Sequence, residues 1–235
     1  MLRSIMLDFE QFRVLTFDCY GTLIDWETGI LSSLRPILAA HNVHATDDAL
    51  LEIYGELEAQ IEAGTYRSYQ QVMREVVAGI GMRLNFVPTI QEMDRLPDSV
   101  KDWQPFPDTP QSLQRLKRRY KLAIISNIDN SLFAASARQL GVEFDWVITA
   151  EEARSYKPST NNFRIALQKI GHPAEQILHV AQSLYHDVVP AKAIGLKTVW
   201  INRRAGKSGF GATPPAHALP DIEVPDLKAL ATFAG

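Results

Sequence analysis

Five polar positions in this sequence have the types and surroundings for chemistry on a small polar molecule: Asp18, Ser126, Asn127, Lys157 and Asp187. An aspartate at the end of a buried strand, backed by a turn, can attack a carbon or phosphorus centre and form an ester intermediate. Asp18 fits: it closes the apolar run 14–17 and precedes Tyr20-Gly21-Thr22. A lysine within about 4–6 Å would lower such an acid's pKa and keep it ionised, and Lys157 is the candidate. Ser126 and Asn127 offer side-chain donors for an anionic group on a substrate. Asp187 could orient the water that hydrolyses the intermediate, although aspartate is also a favoured helix N-cap.

These residues meet only if the fold delivers them to one edge. Residues 14–17 (VLTF) form a short, continuous, β-rich run that reads as a buried parallel strand. The same grammar recurs at 122–126 (LAIIS), 146–149 (WVIT), 177–181 (ILHVA) and 198–201 (TVWI). Helical patterns lie between them, at 109–120, 131–140, 161–170 and 188–194. Strands alternating with helices predict an α/β protein with a Rossmann-like, doubly wound parallel sheet. Gly141, Gly171 and Gly195 each follow a helical pattern, where a left-handed cap is wanted. Ligands bind such sheets beyond the carboxyl ends of the strands.

Between residues 27 and 105 the pattern becomes purely helical, at 30–40, 47–63, 68–79 and 89–103. The expectation is a helical cap domain (27–105) inserted into a core made of 1–26 and 106–235. Residues 203–221, rich in Gly, Pro and Ala, read as a surface loop.

The 235 residues are 46% hydrophobic and 22% charged, ordinary values that exclude a disordered chain or a coiled coil. With 24 Lys+Arg against 27 Asp+Glu, the net charge of -3 argues against nucleic acid or an acidic membrane as a partner. A single cysteine, Cys19, excludes an internal disulfide and any multi-cysteine metal centre. Nothing resembles a signal peptide or a membrane span, so a cytoplasmic setting is expected.

Residues 17–23 (FDCYGTL), Ser126-Asn127, Lys157-Pro158 and 180–187 (VAQSLYHD) resemble, in order, the four motifs of the haloacid dehalogenase superfamily. Asp-x-Tyr-Gly-Thr is similar to the first motif of its metal-independent 2-haloacid dehalogenases. The resemblance implies that Asp18 displaces a halide from a saturated carbon and that water then cleaves the ester. It implies that Thr22 and Lys157 position Asp18, and that Asp187 helps to activate water. The substrate, a small carboxylate, would be held by Ser126, Asn127 and the backbone at Cys19, with Tyr20 and Trp26 lining the pocket. No cofactor is implied, and similar proteins commonly form homodimers. Phosphatases of the superfamily instead resemble Asp-x-Asp at the first motif and carry further acids for Mg²⁺ at the fourth. Tyr20 and Gln182 stand at two of those positions, which leaves a Mg²⁺-dependent phosphatase with a degenerate metal site as an alternative.

The chain departs from the dehalogenase pattern where a halide would be received. The matching cap stretch, 50–63, has no arginine and four glutamates, Glu52, Glu56, Glu58 and Glu62; Arg35, Arg67 and Arg74 do not match convincingly. Phe163 stands where a tyrosine is usual. Acids near the leaving group would suit a departing amine, so opening of a strained cyclic amino acid is another alternative. A catalytically silent binding protein is a further one, disfavoured because Asp18, Thr22, Lys157 and Asp187 are all kept. The bland expectations are that the glutamates form a solvated helix face, that His186 is solvated, and that the Cys19 thiol is buried in the core.

Overall fold

The computed structural model describes residues 7–235. Among these residues, six parallel strands form one sheet: β1 (Val14–Phe17), β2 (Lys121–Ser126), β3 (Trp146–Thr149), β4 (Ile177–Ala181), β5 (Lys197–Ile201) and β6 (Ile222–Val224). Their order is β3-β2-β1-β4-β5-β6. This is the doubly wound arrangement, and its switch point lies between β1 and β4, where a crevice opens beyond the strand ends. All four residues of β1 are buried, as expected of a strand covered on both faces. Register pairs Phe17 with Ile124 and with Val180, so Asp18 emerges between the ends of β2 and β4.

Helices cover both faces of the sheet. On one side lie α5 (Thr109–Lys117), α6 (Asn130–Leu140) and α10 (Leu227–Ala234), which bury Leu113, Leu116, Leu140, Leu227 and Leu230 in the larger apolar cluster. On the other, α8 (Thr160–Ile170) and α9 (Val189–Ala193) pack Phe163, Ala166, Ile170 and Ala191 against Val14, Ile125 and Ile177. A single turn of helix, α7 (Ala150–Ala153), follows β3. Gly141, Gly171 and Gly195 have φ of 70°, 70° and 84°, the left-handed conformation expected at the helix ends. No helix among the described residues is long and apolar enough to cross a membrane.

Between β1 and β2 the chain forms α1 (Trp26–Ala40), α2 (Asp47–Glu62), α3 (Tyr69–Arg83) and α4 (Ile90–Ser99). Side chains of Asp25, Thr46, Ser68 and Thr89 cap their N-termini, Thr89 in a reciprocal box with Glu92. Helix α1 starts four residues before its apolar periodicity because Asp25 supplies that cap. Helix α4 stops at Ser99 and tightens into a 3₁₀ turn over Val100–Asp102. The buried stripe of α2 is Leu50, Leu51, Tyr54, Gly55 and Glu58. Glu58 therefore does not share a solvated face with Glu52 and Glu56, as the sequence suggested: it lies on the apolar side and points inward.

Residues 203–221 are only partly a surface loop. Gly211, Ala212 and Thr213 are buried, and an ideal Cβ at Gly55 would lie 2.7 Å from the Ala212 backbone. A Gly→Ala change inside a helix ordinarily stabilises it by up to about 1 kcal/mol. Here Gly55→Ala is expected to cost about 1–3 kcal/mol, because the intruding methyl must push backbone rather than a flexible side chain. Urea unfolding of the variant would measure it; a stability equal to or above wild type would show that the segment does not press on α2 in solution.

Candidate active site

Lys157 is the hub of the strand ends. It is fully buried, and its ammonium donates to Asp18 Oδ1 (2.9 Å), Asp187 Oδ1 (2.6 Å) and the carbonyl of Ile125 (2.9 Å). The other oxygen of Asp18 accepts from Thr22 Oγ1 at 2.8 Å. Thr22 Oγ1 in turn accepts the Gln182 N–H at 2.8 Å, which fixes the direction of its own hydrogen. Arg203 donates to the Thr22 carbonyl at 2.9 Å and pairs with Asp108. The first motif turn is thus held from two sides.

Asp187 does not cap a helix. It lies inside the irregular turn Leu184–Val188, before α9, and Oδ1 takes a second bond from His179 Nε2 at 3.0 Å. His179 Nδ1 meets Thr16 Oγ1 at 2.9 Å, and the edge of the ring pair with Phe163 closes the other side. Thr16 and His179 are aligned across β1 and β4. Two polar residues paired across otherwise apolar strands were the available sequence signal for this support, and it was missed. Phe163, where the resemblance wants a tyrosine, is buried beside His179.

The cavity above Asp18 is lined by Ser126, Lys157 and Asp187 from the sheet side and by Trp26, Glu58 and Tyr69 from the helices. Tyr20, Asn127, Gln182, Ser183, His186 and Thr213 complete it. The Ser126 hydroxyl has no partner among the described residues, nor does Asp187 Oδ2. Asn127 is more committed: its amide nitrogen donates to Glu62 Oε2 and to the Lys157 carbonyl, each at 3.0 Å, and its oxygen accepts the Lys157 N–H. It fixes the loop that carries the lysine. Tyr20 bonds Ser136 through its hydroxyl, and Trp26 packs edge-on to Tyr54. The Cys19 thiol is buried; the Cys19 carbonyl accepts the N–H groups of Leu23 and Ile24.

Two expectations about charge need correction. His186 is not solvated: it is 7% exposed, lines the cavity and leaves Nε2 unpartnered among the described residues. Burial, reinforced by the Lys157 charge, pushes its pKa down to about 4, so it is neutral at pH 7. Glu58, 3% exposed, accepts at Oε1 from Tyr54 (2.9 Å) and Tyr69 (2.5 Å). Burial pushes its carboxyl up to about 7 against the pull of those two donors, and the Asp18 charge raises it further.

Burial also raises Asp18, opposed by Lys157 and Thr22. For Asp187 burial is outweighed by Lys157 and His179, and the carboxyl is held below its usual range. Burial works against the Lys157 ammonium as well, but the two carboxylates dominate and raise its pKa. Among the described residues, Lys157 is the only Lys or Arg lining the cavity. Arg35, Arg67 and Arg74 pair with Asp47, Glu75 and Asp94 on the helical segment.

The donor set does not suit Mg²⁺, which wants several carboxylate or carbonyl oxygens in octahedral array. Lys157 donates into both carboxylates that could bind it, Gln182 supplies no charge, and no group of three His, Cys, Asp or Glu among the described residues is placed to hold a metal.

The model of the haloacid dehalogenase-like hydrolases matches residues 12–195. An (S)-2-haloacid dehalogenase of Pseudomonas sp. (strain YL) is 30% identical over 223 residues, which cover 92% of this chain and 91% of that protein. The crystal structure of the Xanthobacter autotrophicus L-2-haloacid dehalogenase with chloropropionic acid covalently bound superposes with a TM-score of 0.77. Its identity is 21%, over 94% of this chain and 98% of that one. A magnesium-bound HAD-hydrolase of Bacillus subtilis gives a TM-score of 0.78 at 19% identity, over 95% and 98% of the two chains.

Proposed function

Because the chain belongs to the haloacid dehalogenase-like hydrolases, we propose that it hydrolyses a 2-haloacid to a 2-hydroxy acid through an ester on Asp18, without a metal. The observation that carries this reading is the buried Lys157–Asp18–Thr22 arrangement, which orients a carboxylate while leaving each oxygen a lone pair for attack. The dehalogenase relative at 30% identity supports the choice of substrate.

In the first step an Asp18 oxygen bonds to the substrate's C2 as the carbon–halogen bond breaks, and the halide leaves with the bonding pair. Halide is a stable anion, so this step needs no proton donor. In the second, water adds to the Asp18 carboxyl carbon, and collapse returns the Asp18 carboxylate and the hydroxy acid, with one proton released to solvent. Asp187 Oδ2, unpartnered among the described residues, accepts the hydrogen bond that orients the water. The Ser126 hydroxyl, likewise unpartnered, donates to the substrate carboxylate. Lys157 donates to one Asp18 oxygen and Thr22 to the other, so whichever stays the carbonyl oxygen of the ester keeps a donor as negative charge grows on it.

The test is turnover of L-2-chloropropionate in H₂¹⁸O with and without EDTA. Chloride release that EDTA leaves unchanged, with ¹⁸O appearing in the peptide containing Asp18, is the expected result. Label found only in lactate would mean direct attack by water, and loss of activity with EDTA would restore the phosphatase-like alternative. Glu58 favours one second reading: a buried carboxyl titrating near neutrality could protonate an amine leaving from a strained cyclic amino acid. Its separate signature is argued below.

A further inference from the structure

The Asp187 carboxylate is tied down through one oxygen. Oδ1 accepts from the Lys157 ammonium at 2.6 Å and from His179 Nε2 at 3.0 Å, while Oδ2 has no partner among the described residues. Lys157 has three hydrogens and directs them to Asp187, Asp18 and the Ile125 carbonyl. Each of the two carboxylates therefore helps to place the ammonium, and the ammonium helps to place each of them.

That mutual support changes when Asp18 reacts. As a carboxylate, Asp18 is one of two anions bonded to Lys157. As an ester it is neutral, and Asp187 is the remaining anionic partner. Lys157 keeps a tie to the sheet through the Ile125 carbonyl. The tie of Asp187 to the sheet is His179 on β4.

The surroundings hold His179 rigidly. It is fully buried, and Thr16, its neighbour across β1 and β4, meets Nδ1 through its hydroxyl at 2.9 Å. Phe163 packs edge-on to the ring, with centroids 5.0 Å apart. Against burial, Lys157 and His179 keep Asp187 ionised. A carboxylate only accepts hydrogen bonds, so Nε2 carries a hydrogen and points it at Oδ1. An apolar residue would fill this strand position as well; the imidazole adds the donor.

We propose that His179 is a positioning residue for the second step: by donating to Asp187 Oδ1 it fixes the Lys157–Asp187 pair to the sheet while Asp18 carries the ester. The proposal rests on the reading of Asp18 as the nucleophile. It separates the two steps, because Lys157 and Thr22 hold the Asp18 carboxylate in the first without help from His179.

Acid-quenched time courses with L-2-chloropropionate resolve those steps. The initial chloride burst reports the first, and decay of the Asp18 adduct, read as intact-protein mass, reports the second. His179→Leu is expected to keep the first step within about threefold of wild type and to slow adduct decay at least about tenfold. That is the scale of one hydrogen bond to a charged group. His179→Gln, whose amide nitrogen can reach the place of Nε2, should restore decay to within about threefold. Thr16→Val/His179→Leu replaces both polar partners with apolar ones and leaves no orphan hydroxyl. It should decay as slowly as His179→Leu, and it covers the case in which the single variant does not fold. Both steps slowed alike, unchanged decay, or no rescue by glutamine would mean that His179 serves the fold alone, and would overturn the proposal. Failure of the underlying reading is distinct: wild type itself would then release no chloride, and the proposal would fall with it.

Discussion

Lys157→Met is expected to lower turnover of 2-chloropropionate at pH 7 by about a thousandfold and to destabilise the fold by about 3–5 kcal/mol. The first figure is the scale of losing a preorganised charge beside a developing oxyanion. The second is the cost of removing one partner from a buried ion pair. The two effects share one cause. With the ammonium gone, Asp18 and Asp187 face each other in a buried site without a counter-ion, and their pKa values must rise. At neutral pH the pair then takes up a proton, and a protonated Asp18 is a poor nucleophile.

The sign of the pH dependence follows. In wild type the Lys157 pKa is raised, so its contribution to stability is present below the unfolded lysine value and lost only at alkaline pH. Asp187 is lowered, so its contribution is lost only as pH falls through its folded pKa. Between those limits the two contributions are flat. In Lys157→Met the Asp187 pKa is raised instead and that of Asp18, already raised in wild type, rises further, so stability is kept below the unfolded aspartate value and lost as pH rises through the folded ones. Urea unfolding at pH 5 and pH 8 should therefore show the larger deficit at pH 8. Equal deficits, or activity within tenfold of wild type, would show that the lysine does not govern the charge of Asp18.

The sheet was legible because parallel strands buried on both faces leave short, mostly apolar runs, and five of the six strands among the described residues have one, β1 broken only by Thr16 and β4 only by His179. The sixth, Ile222–Val224, has only three residues. The last helix escaped as well, although Leu227, Leu230, Ala231 and Ala234 keep helical spacing behind the N-cap Asp226. Its signal was present but brief. In the site, Asp18, Thr22, Lys157 and Asp187 stand together: Asp18 follows β1 directly, Thr22 and Asp187 lie in the turns after β1 and β4, and Lys157 reaches them from the loop beyond α7.

What sequence reasoning missed is the set of polar residues whose burial is decided by tertiary contact. Glu58 falls four residues after Tyr54 and seven after Leu51, on the buried stripe of α2. Periodicity alone could have placed it inward, but a glutamate is rarely buried. His186 gave no such signal, because an irregular turn has no period to read. The backbone of Ala212 and Thr213 packs against α2 where Gly55 leaves room for it, a tertiary contact that the composition of the segment does not announce.

Glu58→Gln carries the second large effect, and it separates halide from amine as the leaving group. With its pKa near 7, Glu58 gains a negative charge as pH rises through neutrality, in a cavity that already holds Asp18 and Asp187 against one lysine. Other groups act on it as well: Tyr54 and Tyr69 donate to it, and Glu62 follows one turn later on the same helix. A carboxylate substrate must then enter against an added like charge. At an effective dielectric near 20, that repulsion is about 2 kcal/mol for charges several ångströms apart, or about 30-fold in kcat/KM. Wild type should accordingly lose kcat/KM for 2-chloropropionate above pH 7, and Glu58→Gln should move that fall to higher pH and exceed wild type at pH 9. Stability follows the same sign. A raised carboxyl contributes below the unfolded glutamate value and loses that contribution as pH rises through about 7, so Glu58→Gln should be the more stable protein at pH 8. An amine leaving group reverses the kinetic result but not the stability one, because the variant would lack the proton that the amine must take. Greater stability at pH 8 with faster halide release would fix Glu58 as an electrostatic gate. Greater stability with lost turnover of a cyclic amino acid would fix it as the acid.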